Sequence, residues 1–196
     1  MTTVEAVEVI EATDRQRGIA SLTLAFSSDP VMRWAWPDPR RYVTYWPRFA
    51  EAFGGQAFDD GTAYGLQDCL AVALWMRPGH GPDEETVMGV MGESLDDQIL
   101  EDVNGLFEQM GELHPAGEVW YLPLIGVDLV AQGRGLGSAL LRHALAACDN
   151  DGLPAYLEAT NPRNRDLYAR HGFNVVDVIQ AGSSPPLWAM LREPAS

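Results

Sequence analysis

Six residues in the second half of the chain have the types and spacing of an anion-binding turn: Gln132-Gly133-Arg134-Gly135-Leu136-Gly137. An apolar run from Trp120 to Val127 precedes them, and apolar residues at helical spacing follow them. Glycines permit positive φ and let the backbone approach a ligand closely. Successive N–H groups at a helix N-terminus then bind phosphate. The motif therefore predicts a site for a phosphate-bearing cofactor.

A dinucleotide is one cofactor that such a turn can hold. Glu158 ends the next predicted strand about twenty residues after the glycines, where an acid that binds ribose would stand. The spacing, however, is G-x-G-x-G rather than G-x-G-x-x-G, and the motif begins at residue 133 of 196. Too little chain then remains for a six-stranded doubly wound sheet, so the sequence disfavours a Rossmann site.

The glycine turn and the motifs after it resemble the GNAT superfamily of acyl-CoA N-acyltransferases. The resemblance rests on Gln132-x-x-Gly135-x-Gly137, on Asn161-Pro162-Arg163-Asn164 and on the string from Leu167 to Phe173, in that order. It implies an α/β (α+β) GNAT fold, in which a mixed central β-sheet of six or seven strands has helices on both faces. It also implies that the fourth and fifth strands splay apart to admit the cofactor.

Within the superfamily, the chain is similar to the subgroup that contains puromycin N-acetyltransferase. The similar strings include Ala25–Pro30, Ala73–Pro78 and Pro186–Met190. The first half of the chain is too divergent for the antibiotic substrate to be transferred with the resemblance.

The resemblance implies that acetyl-CoA is the acyl donor and that no metal takes part. The pyrophosphate would lie against backbone amides from Gly133 to Ser138, with Gln132 bracing the loop and Arg134 adding charge. Ile125 and Val127 would offer backbone groups to the pantetheine arm, and the Ile125 N–H would polarise the thioester carbonyl. The implied cofactor-binding residues are Ile125, Val127, Gln132, Gly133, Arg134, Gly135, Leu136, Gly137, Ser138, Asn161, Asn164 and Tyr168.

Tyr168 matches the family tyrosine that protonates the departing CoA thiolate. The general base stays open, because Tyr121 stands where many family members have a glutamate on the fourth strand. Glu118 and His114, just before that strand, are the titratable candidates. A water chain is an alternative, and an amine of low pKa needs only proximity to the thioester.

The acceptor is indicated only by charge and by aromatic residues. The net charge of −15 argues against nucleic acid. Between Arg77 and Arg134 there are many acidic residues and no basic one, which suits a cationic acceptor or equally an ordinary solvated surface. Tyr121 is expected to contact the substrate. Tyr42 and Trp46 belong to an aromatic helical stripe that is most simply core, although part of it could line a substrate pocket.

These residues must be positioned by a chain that we interpret as a single domain over residues 1–196. The predicted strands are Val4–Ile10, Thr62–Gln67, Leu70–Met76, Trp120–Val127, Ala155–Thr160, Phe173–Ile179 and Leu187–Leu191. Predicted helices begin at Asp14 and Asp38-Pro39, span Leu95–Met110, follow the glycine turn and end near His171. Pro123 inside a strand predicts interrupted or bulged pairing.

The sequence predicts an N-acetyltransferase that moves acetyl from acetyl-CoA to a primary amine by direct transfer in a ternary complex. The working acceptor is a small molecule, with cationic or antibiotic-like amines considered. A protein or peptide N-acetyltransferase and a non-catalytic acyl-CoA sensor are the alternatives. No membrane span or signal peptide is evident, and two distant cysteines suit the reducing cytoplasm. A monomer and a homodimer both stay open.

Overall fold

A seven-stranded sheet organises the chain in the computed structural model, which describes residues 6–195. The strands are β1 (Glu8–Val9), β2 (Ala63–Leu66), β3 (Ala71–Met76), β4 (Trp120–Val127), β5 (Ala155–Ala159), β6 (Asn174–Ile179) and β7 (Leu187–Arg192). The helices are α1 (Arg15–Ala25), α2 (Pro30–Ala35), α3 (Pro39–Gly54), α4 (Gln56–Asp59), α5 (Glu84–Ser94), α6 (Asp97–Leu113), α7 (Leu136–Asp151) and α8 (Pro162–Ala169). The strand order is β1-β2-β3-β4-β5-β7-β6, in which β4 and β5 are parallel and the other neighbours antiparallel. The predicted mixed sheet is confirmed.

Each face of the sheet is covered by its own apolar core. On the first face, α1, α2, α3, α5 and α6 bury large side chains, including Trp36 and Trp46. On the second face, α7 packs through Leu140 and Leu141, and α8 contributes Tyr168. The expected helices on both faces are therefore confirmed, and the sheet separates two environments that meet only where its strands part.

Helix α5 differs from the sequence prediction, which had no helix between Pro82 and Leu95. Gly89 and Gly92 lie inside it, and glycine lowers helix propensity by about 1 kcal/mol relative to alanine. The helix forms because Asp83 caps it through the Thr86 amide at 3.1 Å and because its apolar side is buried against α3. Tertiary packing here outweighs local propensity.

The N-terminal region also differs in its boundaries. The helix that begins near Asp14 ends at Ala25, and Asp29-Pro30 begins the short helix α2, because Asp29 caps the amides that follow it. The predicted strand Val4–Ile10 is reduced to Glu8–Val9, and its first residues, Val4 and Glu5, lie outside the described residues.

Strands β4 and β5 separate after two paired positions. Trp120 pairs with Ala155, and Tyr121 pairs with Tyr156. Beyond that point β4 continues along β3 as far as Val127, and β5 continues along β7. The two strands thus diverge toward their C-terminal ends, which confirms the expected splay and opens a gap through the sheet.

A β-bulge lies in β4 at the start of this gap. Between the pairs Leu74–Leu124 and Met76–Tyr121, β3 has one residue whereas β4 has two, one of which is Pro123. Proline has no N–H to donate to the β3–β4 ladder. The extra residue of the bulge therefore lies at a position where a ladder hydrogen bond is already missing. Because of the bulge, the side chains of β4 exchange faces after Pro123. Ile125 therefore lies on the second face of the sheet, together with Trp120 and Leu122.

Candidate active site

The backbone of β4 beyond the bulge faces the gap. The Asp128 N–H donates to the Leu70 carbonyl at 2.8 Å, which fixes the phase of the antiparallel ladder. Hydrogen-bonded pairs alternate along such a ladder, so Gly126 bonds to β3 while the backbone groups of Ile125 and Val127 point the other way. They point to the side from which β5 has diverged. An extended ligand can therefore pair with β4 in place of the missing strand.

A cleft of about 530 Å³ occupies this gap. Its walls come from four segments: β4 at residues 125–127, the turn and first residues of α7, helix α8, and the α1–α2 connection. Gly126 lets α1 lie directly against the sheet here, because a Cβ atom at this position would be 2.6 Å from the Ala25 Cβ. The cleft therefore brings together residues from both halves of the chain.

The glycine turn presents unpaired amides to the cleft. Gly133 and Gly135 have φ of 76° and 83°, and Gly135 is the N-cap of α7. The first bond of that helix runs from the Ala139 N–H to the Gly135 carbonyl at 3.0 Å. The amides of residues 136–138 precede it and have no acceptor within the helix. This arrangement, with the positive end of the helix dipole, fits a pyrophosphate.

Gln132 connects the three segments around the turn. Its Nε2 donates to the Val127 carbonyl at 3.2 Å, and its Oε1 accepts from Arg163 of α8 at 3.1 Å. Arg163 and Arg170 line the cleft, whereas Arg134 is exposed and lies outside its walls. The positive charge nearest a bound anion thus comes from α8, and the sequence analysis did not assign it.

Helix α8 places two asparagines and a tyrosine in the cleft wall. Asn161 caps the helix by accepting from the Asn164 N–H at 2.9 Å, and both asparagines line the cleft. Tyr168 lines it as well and is 5% exposed. Burial, and then the negative charge of Asp29, raise the pKa of the Tyr168 phenol above its ordinary value. The phenol therefore keeps its proton at neutral pH.

Glu158, the acid that a Rossmann site would have used for ribose, is a further candidate for the site. It follows Tyr156 by two residues on β5, so its half-buried side chain projects on the first face where the gap begins. The Tyr121 hydroxyl donates to Glu158 Oε2 at 2.8 Å. Burial raises the pKa of Glu158 to about 7, although this hydrogen bond opposes the rise. A charged residue in an otherwise apolar strand is the sequence signal that could have identified it.

The hydroxyl of Tyr156 lies on the same face as Glu158. It is buried, and it lies close enough to Glu158 to lower the pKa of that carboxyl, as Tyr121 does. The surroundings of Glu158 thus offer a second polar contact.

The two candidate bases of the sequence analysis lie elsewhere. Glu118 is exposed in the turn before β4. His114 is also exposed, and its ring packs edge-on against Tyr121 and Tyr156, with centroid distances of 5.6 and 5.1 Å. His114 therefore supports the two tyrosine rings. Neither candidate is among the residues that line the cleft, and neither is Glu158.

Tyr42 and Trp46 are core residues and do not line a substrate pocket. The Tyr42 hydroxyl donates to the Thr23 carbonyl at 2.7 Å, and Trp46 is fully buried and stacks on Phe26 with centroids 5.2 Å apart. Both side chains thus belong to the core, the simpler of the two interpretations of the stripe, and not to a substrate pocket. The stripe on α3 buries these rings against α1, as expected of an amphipathic helix on a sheet.

Three further observations concern residues 6–195. No helix in this range is both long and apolar enough to span a membrane. Within the same range, no three or more His, Cys, Asp or Glu side chains are grouped so that they could hold a metal ion. Cys69 and Cys148 are buried and free.

Known proteins resemble this chain in both sequence and fold. An uncharacterized N-acetyltransferase of Schizosaccharomyces pombe is 26% identical over 210 residues, which cover 96% of this chain and 83% of that protein. The crystal structure of a histone acetyltransferase HPA2 and related acetyltransferase from Corynebacterium glutamicum has a TM-score of 0.70 at 26% identity, covering 99% of this chain and 98% of the other. Arylalkylamine N-acetyltransferase 2 from Aedes aegypti has a TM-score of 0.67 at 14% identity, covering 99% of this chain and 100% of the other, and shows the fold alone.

The sequence profile of the acetyltransferase (GNAT) family matches residues 22–173. This range contains the glycine turn, the splayed strands and all of α8. The chain belongs to the acetyltransferase (GNAT) family and is an acyl-CoA-dependent N-acetyltransferase.

Proposed function

We propose that the chain transfers an acetyl group from acetyl-CoA to the primary amine of a small, cationic molecule, directly and in a ternary complex. The observation that carries this proposal is the placement of Glu158 and Tyr168. One lies on the first face of the sheet and the other on the second, and both lie beside the gap between β4 and β5. A thioester held in that gap would have a base on one side and an acid on the other.

The donor would be held mainly by backbone groups. The amides at the start of α7 fit the pyrophosphate, and Gln132 keeps that turn against β4. The unpaired edge of β4 at Ile125 and Val127 fits the pantetheine arm, and Asn161 and Asn164 face it from α8. The Ile125 N–H would stabilise negative charge on the thioester oxygen.

Glu158 is the general base that the geometry supports best. The amine must lose a proton to attack the thioester, and a base is most effective when its pKa lies near the working pH. With a pKa of about 7, Glu158 is substantially ionised at neutral pH and yet basic enough to accept that proton. It replaces Glu118 and His114 in the proposal because it is partly buried at the gap, whereas they are exposed.

Tyr168 would act as the general acid. As the new C–N bond forms and the C–S bond breaks, the electron pair of that bond remains on sulfur, and the phenol supplies the proton. The charge of Asp29 and the low polarity of the site disfavour a phenolate, and they disfavour a thiolate beside it as well. They therefore raise the proton affinity of the sulfur together with that of the phenol.

The side chains around Glu158 are aromatic and mostly buried, so an amine that reached this carboxylate would meet apolar surface. Phe53 lies edge-on to Tyr121 and to Phe107, with centroids 6.3 and 6.1 Å apart. Aromatic rings around a carboxylate favour organic cations. Part of the acidic middle segment is already neutralised, since Glu93 pairs with Arg48 at 2.8 Å, but the remaining carboxylates would still attract a cation.

The proposal treats residues 1–196 as a single acetyltransferase domain that acts in the cytoplasm. The buried, free thiols of Cys69 and Cys148 fit a reducing compartment. The strings shared with the puromycin N-acetyltransferase subgroup, among them Ala25–Pro30, favour a small-molecule acceptor over a peptide. They do not specify which amine.

The test is release of the CoA thiol from acetyl-CoA in the presence of a panel of small amines and a panel of peptides. We expect turnover with small cationic amines that contain an apolar group, and little with peptides. Turnover confined to peptides would refute the small-molecule acceptor. Tight CoA binding without turnover on any amine would refute catalysis and would indicate a sensor.

A further inference from the structure

Asp29 makes more contacts than a helix cap requires. Its Oδ1 accepts from the amides of Val31 and Met32 at 3.0 and 3.3 Å, which is the ordinary capping role at the start of α2. Its Oδ2 accepts from the Thr160 hydroxyl at 2.5 Å and from Asn161 Nδ2 at 3.3 Å. The carboxylate is 6% exposed and therefore has four donors in a buried setting.

These contacts join two segments that are far apart in the sequence. Thr160 lies 131 residues from Asp29, directly after β5, and Asn161 caps α8. The N-termini of α2 and α8 thus meet at one carboxylate, and both helix dipoles place partial positive charge beside it. Only a carboxylate offers two acceptor oxygens, since an amide has a single acceptor and a serine side chain is too short to reach both segments.

The position of this bridge matters because it lies where β4 and β5 no longer pair. Pairing between β4 and β5 ends at Tyr121 and Tyr156. The wall that carries Asn161 and Tyr168 is therefore tied to the opposite wall by side chains, and Asp29 itself lines the cleft between them. α1, which ends just before Asp29, packs on β4 at Gly126.

We propose that Asp29 is a positioning residue that sets the width of the cleft, so that Asn161 and Tyr168 are held at the correct distance from the edge of β4. This inference rests on the proposed function, because its effect on turnover requires Tyr168 to act in acetyl transfer. Its effect on CoA binding does not depend on which acceptor is used.

The matched control is Asp38, which begins α3 in the same Asp-Pro sequence. Asp38 is exposed, and its side chain accepts from the Arg40 amide at 2.7 Å in the capping role alone. Serine caps helices about as well as aspartate, so Asp29→Ser and Asp38→Ser both keep a cap. Of the two, only Asp29→Ser removes a bridge.

A second variant tests the bridge from its other end. Thr160→Val removes the hydroxyl with little change in shape and leaves Asp29 intact, whereas Thr160→Ser keeps the hydroxyl. We expect Asp29→Ser and Thr160→Val each to lower kcat at least about tenfold and to weaken CoA binding, since misplacement of reacting groups by about 1 Å can cost 100-fold. Thr160→Ser and Asp38→Ser should behave as the wild type does.

The measurements are kcat and KM with acetyl-CoA, the Kd for CoA by calorimetry, and the thermal midpoint of each variant. The double variant Asp29→Ser/Thr160→Val should be no worse than the more impaired single variant, because both remove one contact. Folded variants with wild-type kcat and Kd would overturn the inference. A second result would also overturn the inference: the acid limb of the pH profile shifts in Asp29→Ser, and Thr160→Val has no effect. Asp29 would then transfer protons itself.

If the wild type transfers acetyl to no amine, the proposed function fails, but the Kd arm still decides the inference. A Kd that is unchanged in both Asp29→Ser and Thr160→Val then refutes it, and a Kd weakened in both supports it.

Discussion

Replacing Glu158 by glutamine separates the catalytic role of this residue from a structural one, because the two predicted effects have opposite signs. Glutamine keeps an oxygen that can accept from Tyr121 but cannot take a proton from an amine. We therefore expect kcat/KM to fall by about 100- to 10,000-fold, the usual contribution of a general base. The folded protein should nevertheless become more stable at alkaline pH.

The stabilisation follows from the raised pKa of Glu158. In the unfolded chain this carboxyl ionises near its ordinary pKa of 4.5, and in the folded protein it does so at about 7. The folded state therefore becomes less stable as pH rises from about 4.5 to 7, and the loss is complete above 7. One pKa unit corresponds to about 1.4 kcal/mol, so the penalty that Glu158→Gln relieves is at most about 3.5 kcal/mol.

The assay is urea unfolding of both proteins at several pH values, beside kcat/KM from pH 5 to 9. The stability difference should be largest at pH 8 and should shrink toward pH 5. The acid limb of the wild-type kcat/KM profile, near pH 7, should stay in place when the acceptor is exchanged for an amine of different pKa. The reason is that kcat/KM reports the essential groups of the free enzyme. Glu118→Gln, the same chemical change at an exposed position, is the control and should leave both measurements unchanged.

Two results would refute this reasoning. An unchanged acid limb and unchanged kcat/KM in Glu158→Gln would remove Glu158 as the base. A lower stability of Glu158→Gln at pH 8 would show that the ionised carboxylate is favoured in the folded protein, contrary to the burial that raises its pKa.

Three further predictions concern the same site. Tyr121→Phe removes the hydrogen bond that lowers the pKa of Glu158, so the acid limb of kcat/KM should move to higher pH; a limb that stays in place or moves to lower pH contradicts the assignment. Tyr168→Phe should lower kcat by about 100-fold or more with little change in the Kd for CoA, and a well-folded variant with unchanged turnover would remove Tyr168 as the acid. Gly135→Ala forces a side chain into φ of 83° at the pyrophosphate turn and should raise the KM for acetyl-CoA; Gly61→Ala, with φ of 67° outside the cleft wall, should cost a similar 1–2 kcal/mol or so of stability without that effect. Equal KM changes in the two glycine variants would mean that general destabilisation, and not the turn, explains the result.

Much of the fold could be predicted because its signals are local. Helix α3 begins at an Asp-Pro cap and carries an apolar stripe, and the sequence predicted where it begins. Pro123 predicted an irregularity in β4, and the bulge occurs there because a proline cannot donate to the ladder. Helix α5 was missed, because its two glycines weaken the local signal and burial against α3 supplies the stability.

The aromatic stripe on α3 shows what helical periodicity in a sequence cannot predict. The spacing of Tyr42 and Trp46 predicted that they share a helix face, and it left open what that face meets. In the structure it meets α1, so both rings are buried away from the cleft. Periodicity gives the direction of a side chain relative to its own helix, whereas its partner depends on where the chain returns.

The sequence by itself determined how the donor can be recognised. The glycine turn is a property of contiguous residues, since positive φ at Gly133 and Gly135 and the free amides at the start of α7 depend only on local backbone geometry. That turn therefore indicated a phosphate-bearing ligand before any tertiary contact was known.

Only the tertiary structure decided which titratable groups lie beside the gap and which side chains join the walls of the cleft. Glu158 acquires its raised pKa because the folded chain buries it, and Tyr121, 37 residues earlier in the chain, donates a hydrogen bond that opposes the rise. Asp29 likewise contacts Thr160, 131 residues later in the chain, only because folding brings the two segments together. The pKa of a carboxyl group and the contacts of a bridge depend on burial and on neighbours from distant segments, and these exist only once the chain has folded.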